Sequence, residues 1–265
     1  TFAAALTGAV TISDNPSTAD LGTINTATNG TITLGGGDAY AVAISGTTAQ
    51  VKAATAGTFA AALTGAVTIS DNPSTADLAS INAATDGTIT LGGGDAYGLA
   101  LSGSVATVKA ATAGTFAATL TGAVTLTDTS GTIAATDLST IGGATNGTVT
   151  SSNAITISGT TAELTAALVT GATKVVAASA HVTFGDNPST SALKDINSAA
   201  GGTITLGGGD GYGLAFSGST ADVKAAIAGT FAATLTGGVT LSDNPSTADL
   251  ATINAATTGT ISLSG

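Results

Sequence analysis

Residues 67–91 read VTISDNPSTADLASINAATDGTITL, and this stretch predicts a strand, a turn, a short helix and a second strand. Val67 to Ser70 is rich in β-branched residues and alternates with a period of two, as a half-buried strand does. Pro73 interrupts that pattern and marks a turn. The second strand, Thr88 to Leu91, repeats the alternation at the far end of the stretch.

The helix between these two strands is predicted from its ends and from one apolar face. Ser74 is followed three residues later by Asp77, a spacing that resembles a helix capping box. Leu78 and Ile81 then fall on one face of a helix of about eight to ten residues. We expect Gly87 to end this helix in a left-handed conformation, which glycine adopts without steric cost.

The whole chain repeats this stretch at a nearly constant spacing. The segment TFAAALTGAV at 1–10 recurs unchanged at 58–67. DNPST begins at Asp14, Asp71, Asp186 and Asp243, and a degenerate copy begins at Asp128, so that successive copies are 57, 57, 58 and 57 residues apart. Repeats of this length are typical of repeat proteins in which each copy packs on the next. We therefore predict a single array over residues 1–265, with units 1–57, 58–114, 115–171 (irregular through 184), 172–229 and a partial unit 230–265.

Each unit contains two related halves, and neither is expected to be stable alone. Helices this short are marginal in water, and half a unit buries too little apolar surface to offset its loss of chain entropy. We predict an α/β repeat protein, an elongated solenoid of strand–short helix–strand coils with parallel β-sheet faces. A string of separate 57-residue α+β beads is the alternative. In the solenoid, one interior column would contain Ile32, Phe59, Ile89, Phe116, Val149, Ile204, Phe231 and Ile261.

The two ends of the sequence fall inside the repeat. Thr1 is in phase with Thr58, and residues 261–265 match residues 204–208. From this phase we expect the sequence to be a fragment of a longer chain.

Composition narrows the function classes. The chain has 16 acidic and 5 basic residues, a net charge of −11, one His and no Cys. This excludes disulfide and thiolate-metal chemistry and disfavours nucleic-acid binding, which requires basic patches. Apolar stretches stay far below the roughly 18 residues of a membrane-spanning helix. Paired-acid catalysis would depend on aspartates that recur at turns and helix caps, so we predict that the protein is not an enzyme.

The repeat resembles those of very large bacterial surface proteins, especially cyanobacterial ones. The resemblance lies in VTISD at 67–71, TADL at 75–78, INAAT at 81–85 and GTIT at 87–90, and it extends over essentially the whole chain. The proteins that carry these similar repeats are adhesin-like or fibre-forming. The resemblance implies export to the cell surface, an extended shape and a structural or adhesive role, and it implies no catalytic residues.

Two recurring acidic turns are candidate calcium sites. Calcium binds six to eight oxygen ligands, which carboxylates, Asn side chains and carbonyls could supply. A plain turn and helix-cap role is the interpretation that DNPST favours. The candidate ligands are Asp14, Asp71, Asp186 and Asp243 of DNPST, and Asp38, Asp95 and Asp210 of the Gly-Gly-Gly-Asp turns.

Three functional hypotheses remain open from the sequence. The first is a self-associating structural segment of an extracellular filament, sheath or surface layer, whose partners are identical copies. The second is an adhesive stalk that binds glycan, mineral or ice through columns of Thr and Asp side chains, with the Thr column formed by Thr-x-Thr strands such as Thr88 to Thr90. The third is an exported repeat module stabilised by calcium, the one cofactor we consider.

Overall fold

The protein has a mixed α/β fold, described by a computed structural model for residues 5–264. Over that range nine α-helices alternate with short strands, and the strand pairs described below are all parallel. The first four residues of the segment at 1–10, and Gly265, lie outside the described residues. The chain divides into two compact units, Thr1–Val124 with Ala144–Gly147 and Thr125–Gly143 with Thr148–Gly265.

The first unit contains four helices and six complete strands among its described residues. Single-turn 3-10 helices at Ala39–Ala41 and Ala96–Gly98 follow the Gly-Gly-Gly-Asp turns. In chain order the elements are β1 (Val10–Ile12), α1 (Thr18–Ala27), β2 (Ile32–Leu34), β3 (Ile44–Gly46), α2 (Thr48–Thr55), β4 (Val67–Ile69), α3 (Thr75–Ala84), β5 (Ile89–Leu91), β6 (Leu101–Gly103) and α4 (Val105–Thr112).

The second unit continues the alternation of strands and helices. A further strand, β7 (Val124–Leu126), begins at the division, and a third 3-10 turn occupies Gly211–Gly213. The remaining elements are β8 (Thr132–Ala134), α5 (Ala135–Ala144), β9 (Val149–Ser151), β10 (Thr156–Gly159), α6 (Thr161–Leu168), β11 (Val175–Val176), β12 (His181–Phe184), α7 (Thr190–Ala199), β13 (Thr203–Leu206), β14 (Phe216–Gly218), α8 (Thr220–Ile227), β15 (Thr230–Phe231), β16 (Val239–Leu241), α9 (Thr247–Ala256) and β17 (Ile261–Leu263).

Strands pair in register with strands 22 to 27 residues away. In the first unit Val67 of β4 lies between Ile44 of β3 and Ile89 of β5. In the second unit, five strands form one sheet in the order β15, β13, β12, β10 and β8. Apolar strand residues face inward: Val67 and Ile69 are fully buried, while Thr68 between them is exposed.

The predicted interior column is only partly correct. Ile32 pairs with Phe59, Ile89 with Phe116, and Ile204 with Phe231. One continuous column through all eight residues is wrong, because the second neighbour of Ile89 is Val67 and the neighbour of Ile261 is Val239. The reason is that the ten-residue helix α3 brings the chain back beside β4. The strand after the helix, β5, therefore pairs with β4, the strand before it.

Helix starts follow the sequence signals. The side chain of Ser74 accepts a hydrogen bond from the backbone N–H of Asp77 at 3.2 Å, which confirms the cap of α3. Reciprocal capping boxes, in which the third residue also bonds back to the cap, occur at Thr47 with Gln50 and at Thr160 with Glu163. Each cap satisfies N–H groups that a helix start otherwise leaves unpaired.

The predicted left-handed helix end at Gly87 is wrong. Helix α3 ends at Ala84, and Thr85 takes an extended conformation with φ −147°. The Thr85 hydroxyl donates to the carbonyl of Leu63 at 2.9 Å and accepts the N–H of Gly87 at 3.0 Å. Among the described residues, the glycines with positive φ are Gly46, Gly131, Gly211 and Gly218.

Candidate functional site

The aspartates of the DNPST turns cap helices of the preceding half-unit. Asp71 Oδ1 accepts hydrogen bonds from the backbone N–H of Thr48 at 2.7 Å and from its hydroxyl at 2.6 Å. Thr48 is the first residue of α2, where the backbone N–H has no partner within the helix. Both Thr48 donors hold the pKa of the Asp71 carboxyl below its usual value, and the hydroxyl has a larger effect than the backbone N–H.

The same contact recurs in the second unit. Asp186 Oδ1 accepts from the N–H and the hydroxyl of Thr161, both at 2.7 Å. Asp243 accepts from the N–H of Thr220 at 2.9 Å and from its hydroxyl, and these bonds lower the pKa of Asp243. Asp14 occupies the corresponding turn of the first copy.

The aspartates of the Gly-Gly-Gly-Asp turns pair with asparagines of the DNPST turns. Asn187 Nδ2 donates to the Asp210 carboxylate at 2.6 Å, and the N–H of Asp210 donates back to Asn187 Oδ1 at 3.2 Å. A side chain on Gly208 would collide with this arrangement, because its Cβ would lie 2.1 Å from Asn187 Oδ1. The equivalent pairs in the first unit are Asn15 with Asp38 and Asn72 with Asp95.

These contacts bring six of the seven candidate calcium ligands, all except Asp14, to a Thr or Asn rather than to other carboxylates. Over residues 5–264, no group of three or more His, Asp or Glu side chains is placed to hold a metal ion. The oxygens of Asp71 and Asp95 instead accept hydrogen bonds from Thr48 and Asn72. Calcium binding at the seven aspartates stays a prediction, and chelation tests it.

Ion pairs link three pairs of neighbouring helices, α2 with α3, α7 with α8 and α8 with α9. Lys194 Nζ of α7 contacts Asp222 of α8 at 2.7 Å, which raises the pKa of Lys194 and lowers that of Asp222. Lys52 of α2 pairs with Asp77 of α3 in the same way, and Lys224 of α8 pairs with Asp249 of α9. Lys52 and Lys224 lie in the last turns of α2 and α8, and sequence reasoning missed their pairing with the next helix.

A second set of contacts between helices was also missed. Asn25 of α1 donates from Nδ2 to the carbonyls of Ala53 and Ala54 at 2.7 and 2.8 Å. Both carbonyls belong to the last turn of α2, where helices leave acceptors unpaired. Asn82 and Asn197 make the same contact with α4 and α8. The recurrence of Asn at this helical position was the available signal.

The side chains best suited to acid–base chemistry make structural contacts instead. His181 Nδ1 accepts the backbone N–H of Thr203 at 2.8 Å, which ties β12 to β13. The hydroxyl of Tyr97 accepts the N–H of Leu91 at 3.3 Å. In the shallow groove between the ends of α3 and α4, Asp86 is the one titratable lining residue. Neither His181 nor Asp86 is thus placed beside a second acid–base group among these contacts.

Comparisons of the chain with protein-family models, curated proteins and solved structures find no match. Of the helices that the structure describes, none is long and apolar enough to cross a membrane. Function is therefore inferred from the contacts between repeats.

Proposed function

We propose that this chain is a segment of an α/β solenoid with a structural, non-catalytic role in an extracellular filament, sheath or surface layer. The observation that carries the proposal is the hydrogen bonding of Asp71 to Thr48, repeated by Asp186 with Thr161 and Asp243 with Thr220. Each of these bonds fixes the start of one helix with a residue from the following half-unit. Without the following half-unit, the first backbone N–H of the helix would lack this hydrogen-bond acceptor.

Contacts across the 57-residue boundary favour a stacked array over separate beads. Thr48 belongs to the copy 1–57 and Asp71 to the copy 58–114, so their bond joins two copies. The strand pairing of Ile32 with Phe59 crosses the same boundary. Independent beads would be joined by linkers that few contacts cross. These shared contacts support a continuous solenoid, in which a 57-residue copy of two coils would add about 10 Å of length.

Association with identical copies is part of the proposal. Each copy of the chain carries a net charge of −11, so close approach through charged surfaces is unfavourable. The outward strand positions Ser45, Thr68 and Thr90 are uncharged and lie side by side in register. Such faces allow two acidic chains to pack laterally with little repulsion.

A second candidate function is adhesion to a glycan or ice surface. It is favoured by the row of hydroxyl groups that these outward positions form across neighbouring strands. Within the described residues, the side-chain hydroxyls of Ser45, Thr68 and Thr90 make no hydrogen bond to the protein, although Thr28 and Thr85 do. Neighbouring strands repeat these hydroxyls every 4.8 Å or so. A regular row of available donors and acceptors suits a ligand that is itself periodic.

Electron microscopy and X-ray scattering test the proposal. Chains with one to three added 57-residue copies should keep a constant cross-section and lengthen by about 10 Å per copy. The native surface material should show ordered filaments or a lattice. Growth in steps as large as a globular domain would contradict the solenoid, and isolated rods on the cell surface would favour the adhesive role.

A further inference from the structure

The strand pair β9–β11 in the second unit differs from its counterparts by several unfavourable features. Ser151 ends β9 and is 2% exposed, and its hydroxyl has no hydrogen-bond partner. In the first unit the equivalent position is Leu91, whose apolar side chain is buried at the end of β5. A buried hydroxyl without a partner loses its hydration and gains nothing in return.

The partner strand β11 is also weakened. Val175 pairs with Val149 at the position where Phe116 pairs with Ile89, so a smaller side chain fills the site. Lys174, just before this strand, has φ +49°, a left-handed conformation that is unfavourable for a residue with a side chain. Val176 is 49% exposed, although it belongs to a strand.

We propose that the β9–β11 pair opens before the rest of its unit and is a built-in site of local unfolding. An orphaned hydroxyl, a left-handed lysine and a reduced apolar contact all act on the same two strands. Each lowers the free energy needed to separate them, while β10, β12 and β13, in the five-stranded sheet of the same unit, keep full pairing. If the chain serves in a filament, as proposed above, this pair would yield first under load and lengthen the chain without loss of the other repeats.

Hydrogen exchange of the intact 265-residue chain tests this proposal independently of any filament. Amides of Val149–Ser151 and Val175–Val176 should exchange about tenfold faster or more than those of Ile89–Leu91 and of Val182–Phe184. Equal protection of all four segments would overturn the proposal.

Two variants test the cause of the opening. Ser151→Ala removes the orphaned hydroxyl, and Lys174→Gly removes the left-handed strain, so each should slow exchange in β9 and β11 by about fivefold or more. Ser152→Ala, at the exposed neighbouring position, should leave the rates unchanged. Wild-type exchange in both Ser151→Ala and Lys174→Gly would show that these features do not set the opening, and the inference would fail. A chain that opens at β9–β11 but forms no filament would contradict only the proposed function.

Discussion

Gly87 packs directly against the main chain of Gly65, so closely that a Cβ on Gly87 would lie 1.8 Å from the Gly65 carbonyl oxygen. Gly147 meets Gly122 and Gly259 meets Gly237 in the same way, again at 1.8 Å. The glycine after the helix is therefore required by the approach of two backbones rather than by its own dihedral angles.

Gly87→Ala should lower the free energy of unfolding by about 1–3 kcal/mol or more, because the added methyl must displace backbone atoms that cannot rotate away. Urea denaturation measures the change. Gly94→Ala is the matched control, since nothing lies within 4 Å of a Cβ at Gly94. Equal stability of the two variants would contradict the close approach.

Thr85→Val should destabilise the protein by about 1–3 kcal/mol, because a buried Leu63 carbonyl and Gly87 N–H would each lose a partner. Valine keeps the shape of threonine, so the loss reports the hydroxyl alone. Thr68→Val removes an exposed hydroxyl from a strand face and should change the free energy by less than about 0.5 kcal/mol. A loss as large at Thr68 as at Thr85 would show that the burial differs from that described.

Ile89→Ala should cost about 2–5 kcal/mol, because Ile89 is 1% exposed and its removal leaves a cavity between Val67 and Phe116. Thr90→Ala, on the opposite face of the same strand, is the control and should have a small effect. Calorimetry or urea denaturation of both variants distinguishes the inward from the outward face. Similar losses would mean that β5 is not oriented as described.

Local signals in the sequence were sufficient to locate most elements. The capping pair Ser74 and Asp77 gave the start of α3, and the alternation at Val67 to Ile69 gave β4. The role of Gly87 could not be read from sequence, because glycine satisfies both a left-handed helix end and a close backbone approach. Only the position of Gly65 distinguishes the two.

The contacts between repeats could not be predicted because they join residues that are far apart in the sequence. Asp71 was correctly placed at a turn, but its bond to Thr48 requires an offset of 23 residues that no local pattern contains. The same holds for Lys52 and Asp77, which are 25 residues apart. The predicted interior column through Ile89 was wrong for the same reason. Ile89 pairs with Val67 because α3 brings β5 back beside β4, and the local sequence pattern does not show this.

Chelation should leave the melting temperature unchanged. Six of the seven candidate aspartates already accept hydrogen bonds, as Asp71 does from Thr48 and Asp95 from Asn72, so we expect no further stabilisation from calcium. Melting curves in EDTA and in millimolar calcium provide the measurement, and magnesium controls for ionic strength. An increase of several degrees with calcium alone would instead support the calcium-stabilised module.

Stability should fall in acid through the carboxylates that join the repeats. Hydrogen bonds from Thr48 and Thr220 lower the folded-state pKa of Asp71 and Asp243, while an unfolded aspartate titrates near pH 3.9. Their contribution is therefore complete above about pH 5 and is lost as the pH falls below 3.9 toward the lowered folded value. Urea denaturation at pH 7, 5 and 3 should show little change in stability between pH 7 and 5 and a loss between pH 5 and 3.

The double variant Asp71→Asn, Asp243→Asn tests whether these carboxylates cause the loss. Its amide oxygens can accept the same bonds but do not titrate. The variant should therefore be less stable than wild type at pH 7 and should lose less stability between pH 5 and 3. Parallel curves for the two proteins would exclude these carboxylates as the source of the acid sensitivity.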